Sequence, residues 1–391
     1  MRIAIVGAGI GGLACALLLS QKPFEITVFD QFETPSPVGS GLVIQPVGLW
    51  VLDQLGLGDL VRSRGATLSR IYGTCARTGR PVLDVHYGPS ESLKSGLGLH
   101  RAALFDALYR AAQAVTPDWR TGQRVVSQER GILTLSDGTV TEPFDLVIDA
   151  SGAASALSPL KGKPLTYGAV WGTVDWVDGP MPVDQLSQCY RRADRMIGIL
   201  PVGLLPGDAK PKAALFWLLR ADGYEAWRKA GLRVWRDEAV GLWPALAPFI
   251  DQITDPAQMT LARYTHGTLS KPWSKGLVHI GDAAHRTSPQ LGQGANMALL
   301  DAFSLWRAIQ ALQPGTPIEA ALQAYAHERR GHVWAYQTIS AMFTPAYQSD
   351  SRILPPLRDH ILYPFSRIPP MPWLLSRMVR GDLVSPLSGM D

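Results

Sequence analysis

The first thirty residues constrain this chain most. Ile3-Ala4-Ile5-Val6 is a short apolar run suited to a strand buried on both faces. Gly7-Ala8-Gly9-Ile10-Gly11-Gly12 then supplies G-x-G-x-x-G, Leu13 to Ser20 reads as a helix buried against a sheet, and Glu25-Ile26-Thr27-Val28-Phe29-Asp30 is a second strand ending in an acid. Asp30 follows Gly9 by about twenty residues, the spacing of a ribose-binding carboxylate. The uncharged stretch Ile3 to Ser20 after Arg2 also suits a secretory signal or a membrane span. Neither needs a second strand with an acid at its end, so the dinucleotide-binding unit is preferred. In that unit Gly7 permits the tight turn, Gly9 lets the backbone approach a pyrophosphate, and Gly12 lets helix and strand pack closely. The helix N-terminus presents unpaired N–H groups to the phosphates, and Asp30 accepts hydrogen bonds from ribose hydroxyls. The motif alone does not separate NAD from FAD.

A chain of 391 residues has room for two or three domains. With 46% hydrophobic and 18% charged residues it is neither disordered nor collagenous, and a net charge of +4 is too small to imply nucleic-acid binding. Cys15, Cys75 and Cys189 lie far apart, without CxxC or a histidine cluster. No metal site or disulfide framework is expected, and a reducing cytoplasm fits best. Beyond Asp30, Gly39 to Pro46 is a glycine-rich loop and strand, followed by a helix over about 47–57. A helix over 100–115 carries Arg101 in its first turn, where a cation opposes the macrodipole and calls for an anionic partner. Val125-Val126, Ile132 to Leu135 and the turn pair Asp137-Gly138 read as a hairpin, and Asp145 to Ala150 as another buried strand. Between 161 and 272 the pattern changes to strand-like runs at 167–176, 196–202 and 213–219, rich in tryptophan. Leu277-Val278-His279-Ile280 restores the earlier style, with helices over 292–312 and 318–341 after it.

Gly281-Asp282-Ala283-Ala284-His285 follows that strand directly, then come Pro289 and Gly292-Gln293-Gly294-Ala295-Asn296. This is a carboxylate at a strand end, a rigid proline turn and a glycine-rich start to a long helix. Such a helix start sets N–H groups and a positive dipole end against a ligand that gathers negative charge, as a reduced flavin does. With these motifs in this order, from Met1 to about Ala311, the chain resembles the FAD-dependent aromatic hydroxylases of the para-hydroxybenzoate hydroxylase and salicylate hydroxylase type. The resemblance implies an α/β fold: a Rossmann-like FAD-binding domain (1–160 and 273–330), an inserted β-sheet substrate domain (161–272, joined by 70–96) and a C-terminal helical region (331–391). It implies non-covalent FAD contacted by Gly7, Gly9, Gly12, Asp30, Gly41, Arg101, Val125, Asp282, Gly294, Ala295 and Asn296. Pro289, Gly292, Gln293 and Gly294 would form the loop at the flavin edge.

The family's cycle is then implied: NADH or NADPH reduces FAD, dioxygen adds at the flavin C4a carbon, and the hydroperoxide hydroxylates a small electron-rich, aromatic substrate. Phenolic substrates benefit from a nearby base, for which Tyr190, Tyr264 and His266 are the candidates, while His285 reads as structural. One motif departs from the family: Asp149-Ala150-Ser151-Gly152 has serine at the usual aspartate position, and the usual arginine nearby is also serine. That motif serves FAD and NAD(P)H handling, so a flavoprotein reductase without oxygen transfer, or a flavin-binding sensor, are the competing readings. Arg191, Arg192 and Arg195 are either a solvated turn or a landing site for the NADPH phosphate. The tail 355–383 mixes arginines with large apolar residues. Helices packed on the body are preferred there to a membrane contact, because prolines interrupt any long amphipathic face.

Overall fold

In the computed structural model, which describes residues 1–35, 39–88, 94–116 and 118–389, the N-terminal unit forms as its pattern requires. Arg2–Val6 pairs in parallel with Glu25–Phe29 on one side and Leu146–Asp149 on the other. Leu277–His279 and Asp118–Arg120 extend this six-stranded sheet, and Trp273–Ser274 closes one edge antiparallel. Parallel strands covered on both faces need apolar residues throughout, and Ile3, Ala4, Ile5 and Leu146 to Ile148 are all fully buried. Helix Ile10–Leu19 is buried almost all round, between the sheet and helices Arg101–Val115 and Gly294–Gln310. That burial explains why its sequence mimics a membrane segment. Among the described residues no helix is long and apolar enough to cross a membrane. On the sheet's other face, hairpin Val125–Glu129 and Ile132–Leu135 packs on Ala4, Val6, Phe29 and Val147. Its tight turn is Arg130-Gly131, both at positive φ, and Asp137-Gly138 makes the following bend instead.

The register sets Val6 level with Phe29 and Asp149, and Asp149 level with His279. The loops after these strands therefore open on one edge, the carboxyl edge where open α/β sheets bind ligands.

A second, seven-stranded sheet runs in the order Thr260–Ala262, Tyr167–Asp175, Lys212–Arg220, Arg195–Gly203, Gln185–Arg191, Arg70–Cys75, Pro81–His86. The last two strands come from far upstream, and Arg70–Cys75 joins in parallel. One face of this sheet packs on helix Leu232–Leu242 and its neighbours, with Trp217, Trp235 and Phe249 buried between them. The other face meets a C-terminal layer built from Ile318–Tyr347 and Met371–Arg380. The tail docks through buried hydrogen bonds: Tyr336 Oη donates to Met378 O (3.1 Å), Arg329 to Pro386 O (2.9 Å) and Gln293 Nε2 to Val379 O (3.0 Å).

Candidate cofactor cleft and active site

A cleft of about 660 Å³ lies along the carboxyl edge of the first sheet. Gly9, Gly11, Gly41, Arg101, Asp282 and Gly294 are among the residues that line it. Glycine has two different causes here. At Gly12 a Cβ would stand 1.9 Å from Gly7 O, and at Gly7, with φ +103°, it would strike Ala150 O at 2.6 Å, so the turn and helix packing demand both. At Gly9 and Gly294 a Cβ would meet nothing within 4 Å and would only fill the cleft. Protein packing does not require those two glycines. Their open backbone leaves room on the cleft wall for a ligand to approach closely, which suits a dinucleotide.

The charged groups agree with such a ligand. Asp30 caps the loop, its Oδ2 accepting from Ala8 N (2.6 Å) and its Oδ1 from Phe32 N (3.1 Å), and stays half-buried. The Arg101 guanidinium forms no ion pair among the described residues and crosses Gly39, where a Cβ would meet its Cδ at 2.7 Å. Asp282 sits in the turn Gly281–Ala283, its carboxylate open to the cleft and hydrogen-bonded to nothing else among the described residues. Enclosure by protein pushes its carboxyl above the usual range, against the pull of His285, Arg101 and Arg286.

Two of the expected contacts have side chains directed elsewhere. Val125 faces the apolar cluster behind the sheet, because its strand alternates and this position points inward. Asn296 is fully buried: its Oδ1 accepts from Gln45 N (2.8 Å), and its Nδ2 donates to Val43 O (3.1 Å) and Gly292 O (2.9 Å). Its side chain staples the glycine-rich strand Gly41–Ile44 and the loop to the helix, which leaves only its main-chain N–H, in the first turn, to act on a ligand. Gly48, which the sequence did not single out, makes room for it, since a Cβ there would lie 2.2 Å from Asn296 Oδ1. Gly41 lines the cleft, yet its lack of a Cβ is also required by Ala214 and Val202, each 2.6 Å away.

Next to the cleft lies a chamber of about 310 Å³, enclosed by the second sheet, the loop 287–294 and Gln348. The two share Gly41, Leu42, Trp171, Asp282, Gly294 and Ala295. Pro289, Gly292 and Gln293 line the chamber, with Gly292 in the left-handed region at φ +61°. The loop is bolted from outside: Ser288 N donates to His266 Nε2 (3.0 Å), and Ser288 Oγ pairs with Ser340 (2.9 Å) and Thr344 (2.7 Å) of the long helix. Sequence reading gave no sign of these serines, whose partners lie some fifty residues away.

Of the three candidate bases, only Tyr264 lines the chamber. Its Oη accepts from Trp171 Nε1 (3.1 Å), and burial pushes its phenol up to about 12, so it keeps its proton and can donate. Tyr190 is corrected: it is fully buried against Tyr347 and Arg358, donates to Gln188 Oε1 (2.9 Å), and burial raises its phenol far above neutrality. His266 is corrected as well. Its Nε2 accepts the Ser288 N–H, and burial lowers its pKa, which leaves a neutral ring holding the loop.

The divergent Asp149 motif has a structural explanation. The carboxylate is wholly buried and accepts from Ser151 N (3.1 Å), Ser155 Oγ (2.6 Å) and His279 Nδ1 (2.7 Å). Burial acts to raise its pKa, but these hydrogen bonds hold it below the ordinary carboxylate value. His285 is likewise internal, with Nε2 at 2.6 Å from Asp301. In the arginine cluster, Arg191 pairs with Asp194 and Glu238, and Arg195 with Glu238, so two of the three charges are already countered.

Residues 1–340 match the profile of a family described as FAD binding domain. The chain belongs to that family. It is 27% identical over 329 residues to the 6-hydroxynicotinate 3-monooxygenase of Pseudomonas fluorescens, covering 79% of this chain and 82% of the relative. To the 3-amino-4-hydroxybenzoate 2-monooxygenase of Streptomyces cremeus it is 28% identical over 348 residues, covering 83% and 82%. Among solved structures, 2-methyl-3-hydroxypyridine-5-carboxylic acid oxygenase in its tetrameric form superposes with a TM-score of 0.79 at 22% identity, over 96% of both chains, and supports the fold. The protein is an FAD-dependent monooxygenase of the aromatic hydroxylase group.

Proposed function

We propose that the cleft holds FAD non-covalently and that the adjoining chamber takes a small electron-rich aromatic or heteroaromatic substrate, hydroxylated with NADH or NADPH and dioxygen in a reducing cytoplasm. The observation that carries this reading is the wall common to cleft and chamber, from Gly41 and Leu42 across to Gly294 and Ala295. A ring seated there touches both spaces. The names of the curated relatives, which act on hydroxylated or aminated rings, support the substrate class.

Each residue then has a physical task. The N–H groups at the start of helix Ile10–Leu19 would hold the pyrophosphate, with Arg101 as counter-charge. Asp30 would hold the ribose and Asp282 the ribitol. The first N–H groups of helix Gly294–Gln310 lack intrahelical partners and favour negative charge at the cofactor's pyrimidine edge. Bound FAD, once reduced by NAD(P)H, supplies the dioxygen chemistry. In the chamber, Tyr264 donates a hydrogen bond to a ring substituent, and the stacked pair Trp171–Phe216 (4.5 Å between centroids) gives an apolar wall that excludes water.

Turnover under 18O2 with a panel of phenols, hydroxypyridines and aminophenols tests the proposal. It expects one labelled oxygen in the product and NAD(P)H oxidation stimulated by that compound. Rapid NAD(P)H oxidation onto an artificial acceptor, with no label in any ring, would favour the reductase reading instead.

A further inference from the structure

Apart from Asp282, which it shares with the cleft, the chamber is polar without being charged among the described residues. Gln45, Gln188, Gln290, Gln293 and Gln348 line it, and among the described residues no lysine, arginine or histidine does. Asp282, on the cleft side, is the one acid. The carbonyls of Gln45 and Gln188 are occupied by Tyr87 Oη (2.8 Å) and Tyr190 Oη (2.9 Å), which leaves their amide N–H groups as donors. Gln348 lines the chamber too, but its Oε1 is shut off from the open space. A ring carboxylate placed here would be buried without a cation, a costly arrangement. A neutral hydroxyl substituent would accept from those amide N–H groups without that cost.

Behind the chamber is a second cavity of about 310 Å³, between Pro81–His86 and the C-terminal layer. Ile71, Leu83, Gln290 and Leu291 line both spaces, so the two adjoin across a wall of side chains. Its lining is mainly apolar, including Val82, Phe343, Leu375 and Met378. The charged groups in it are already countered: Arg358 by Asp359 (2.7 Å), and Asp84 by Arg70 and Arg367 (2.7 Å each). An apolar pocket beside a neutral polar one suits a ligand with the same two parts.

We propose that the substrate is an uncharged aromatic whose polar head sits among the glutamines and whose apolar arm displaces the Ile71, Leu83 and Leu291 side chains to reach the second cavity. This rests on the reading of the chamber as the substrate site, and it sets the chain apart from the relatives named for carboxylated rings. The test titrates the oxidised, FAD-loaded protein with 4-alkylphenols from methyl to hexyl, and with 4-hydroxybenzoate at pH 8, following the flavin absorbance. Each buried methylene is expected to tighten binding about fourfold until the arm fills the cavity. p-Cresol is expected to bind at least tenfold more tightly than 4-hydroxybenzoate. In Met371→Trp, which narrows the second cavity at a half-buried position, the hexyl-to-methyl affinity ratio should collapse. A flat alkyl series, tighter 4-hydroxybenzoate binding, or a ratio unchanged in the variant would each overturn the proposal. Because the titration contains no nicotinamide, phenols that bind with the expected increments but gain no 18O refute only the oxygen-transfer reading.

Discussion

Replacing Asp282 by alanine removes a carboxylate that has no other hydrogen-bond partner among the described residues and opens onto the cleft. If it holds ribitol hydroxyls, each lost charge-assisted bond is worth about 1.5–3 kcal/mol, at least tenfold in FAD affinity. Flavin retention on gel filtration checks this, and unchanged retention would remove Asp282 from the site. The raised pKa adds a pH dependence. A protonated carboxyl accepts fewer hydrogen bonds, so retention should fall as pH drops through a value above the ordinary 3.8. Gly294→Val is the complementary change. Its side chain would project where a Cβ meets only open space, so the fold should survive while the backbone is pushed away from the ligand. Weaker FAD binding and a lower flavin reduction potential are expected, because the helix start would favour the reduced, anionic form less. A redox titration giving equal potentials would mean that this helix does not face the ring.

Helix Gly294–Gln310 is tied to its surroundings through Asp301, which is fully buried and accepts from Gly281 N (2.9 Å), His285 Nε2 (2.6 Å) and Arg329 Nε (2.8 Å). Burial alone would raise its pKa, but the charges of His285 and Arg329 hold it well below the usual carboxylate range. Asp301→Asn leaves Arg329 buried without its counter-ion and should cost about 3–5 kcal/mol in urea unfolding. A loss below 1 kcal/mol would show that the network is not stabilising. His332, one turn beyond Arg329, is buried, and desolvation and Arg329 lower its pKa from 6.5 to about 3. Its contribution is therefore full above pH 6.5 and is lost as pH falls from there toward 3. Its neutral ring donates through Nε2 to Gly381 O (2.9 Å), so acid should loosen the tail's docking. The variant His332→Gln should show a shallower decline of the urea midpoint over that window.

These elements also show where sequence reading stops. Arg2–Val6, Ile10–Leu19 and Glu25–Phe29 were legible because apolar runs and glycine spacing are local codes. Gln185–Arg191 shows no apolar run by which to set its bounds, because its buried Gln185, Ser187 and Gln188 look like surface residues. Side-chain hydrogen bonds, such as Gln185 Nε2 to Ser187 Oγ (2.8 Å), make that burial tolerable. Asn296 carries the residue type of a ligand contact, yet its partners Val43 and Gln45 lie about 250 residues away. Tyr190 was misread for a similar reason: Gln188, two residues before it, lines the chamber, while Tyr347 and Arg358 from the C-terminal layer cover Tyr190 itself.

At the scale of the whole molecule, the candidate site is made where three layers meet. The first sheet supplies the cleft, the second sheet the chamber wall, and the C-terminal layer anchors the loop 287–294 through Ser340, Thr344 and Val379. No one layer encloses either space, which is why the long tail matters to a site whose motifs lie upstream of residue 300. The most direct test is a crystal structure of the FAD-loaded protein. The account predicts the adenosine end at Gly9 and Asp30, the ribitol at Asp282, and the flavin ring against Gly41, Leu42 and the loop 289–294, separating cleft from chamber. A flavin ring seated away from that shared wall, with the chamber cut off from it, would contradict the account.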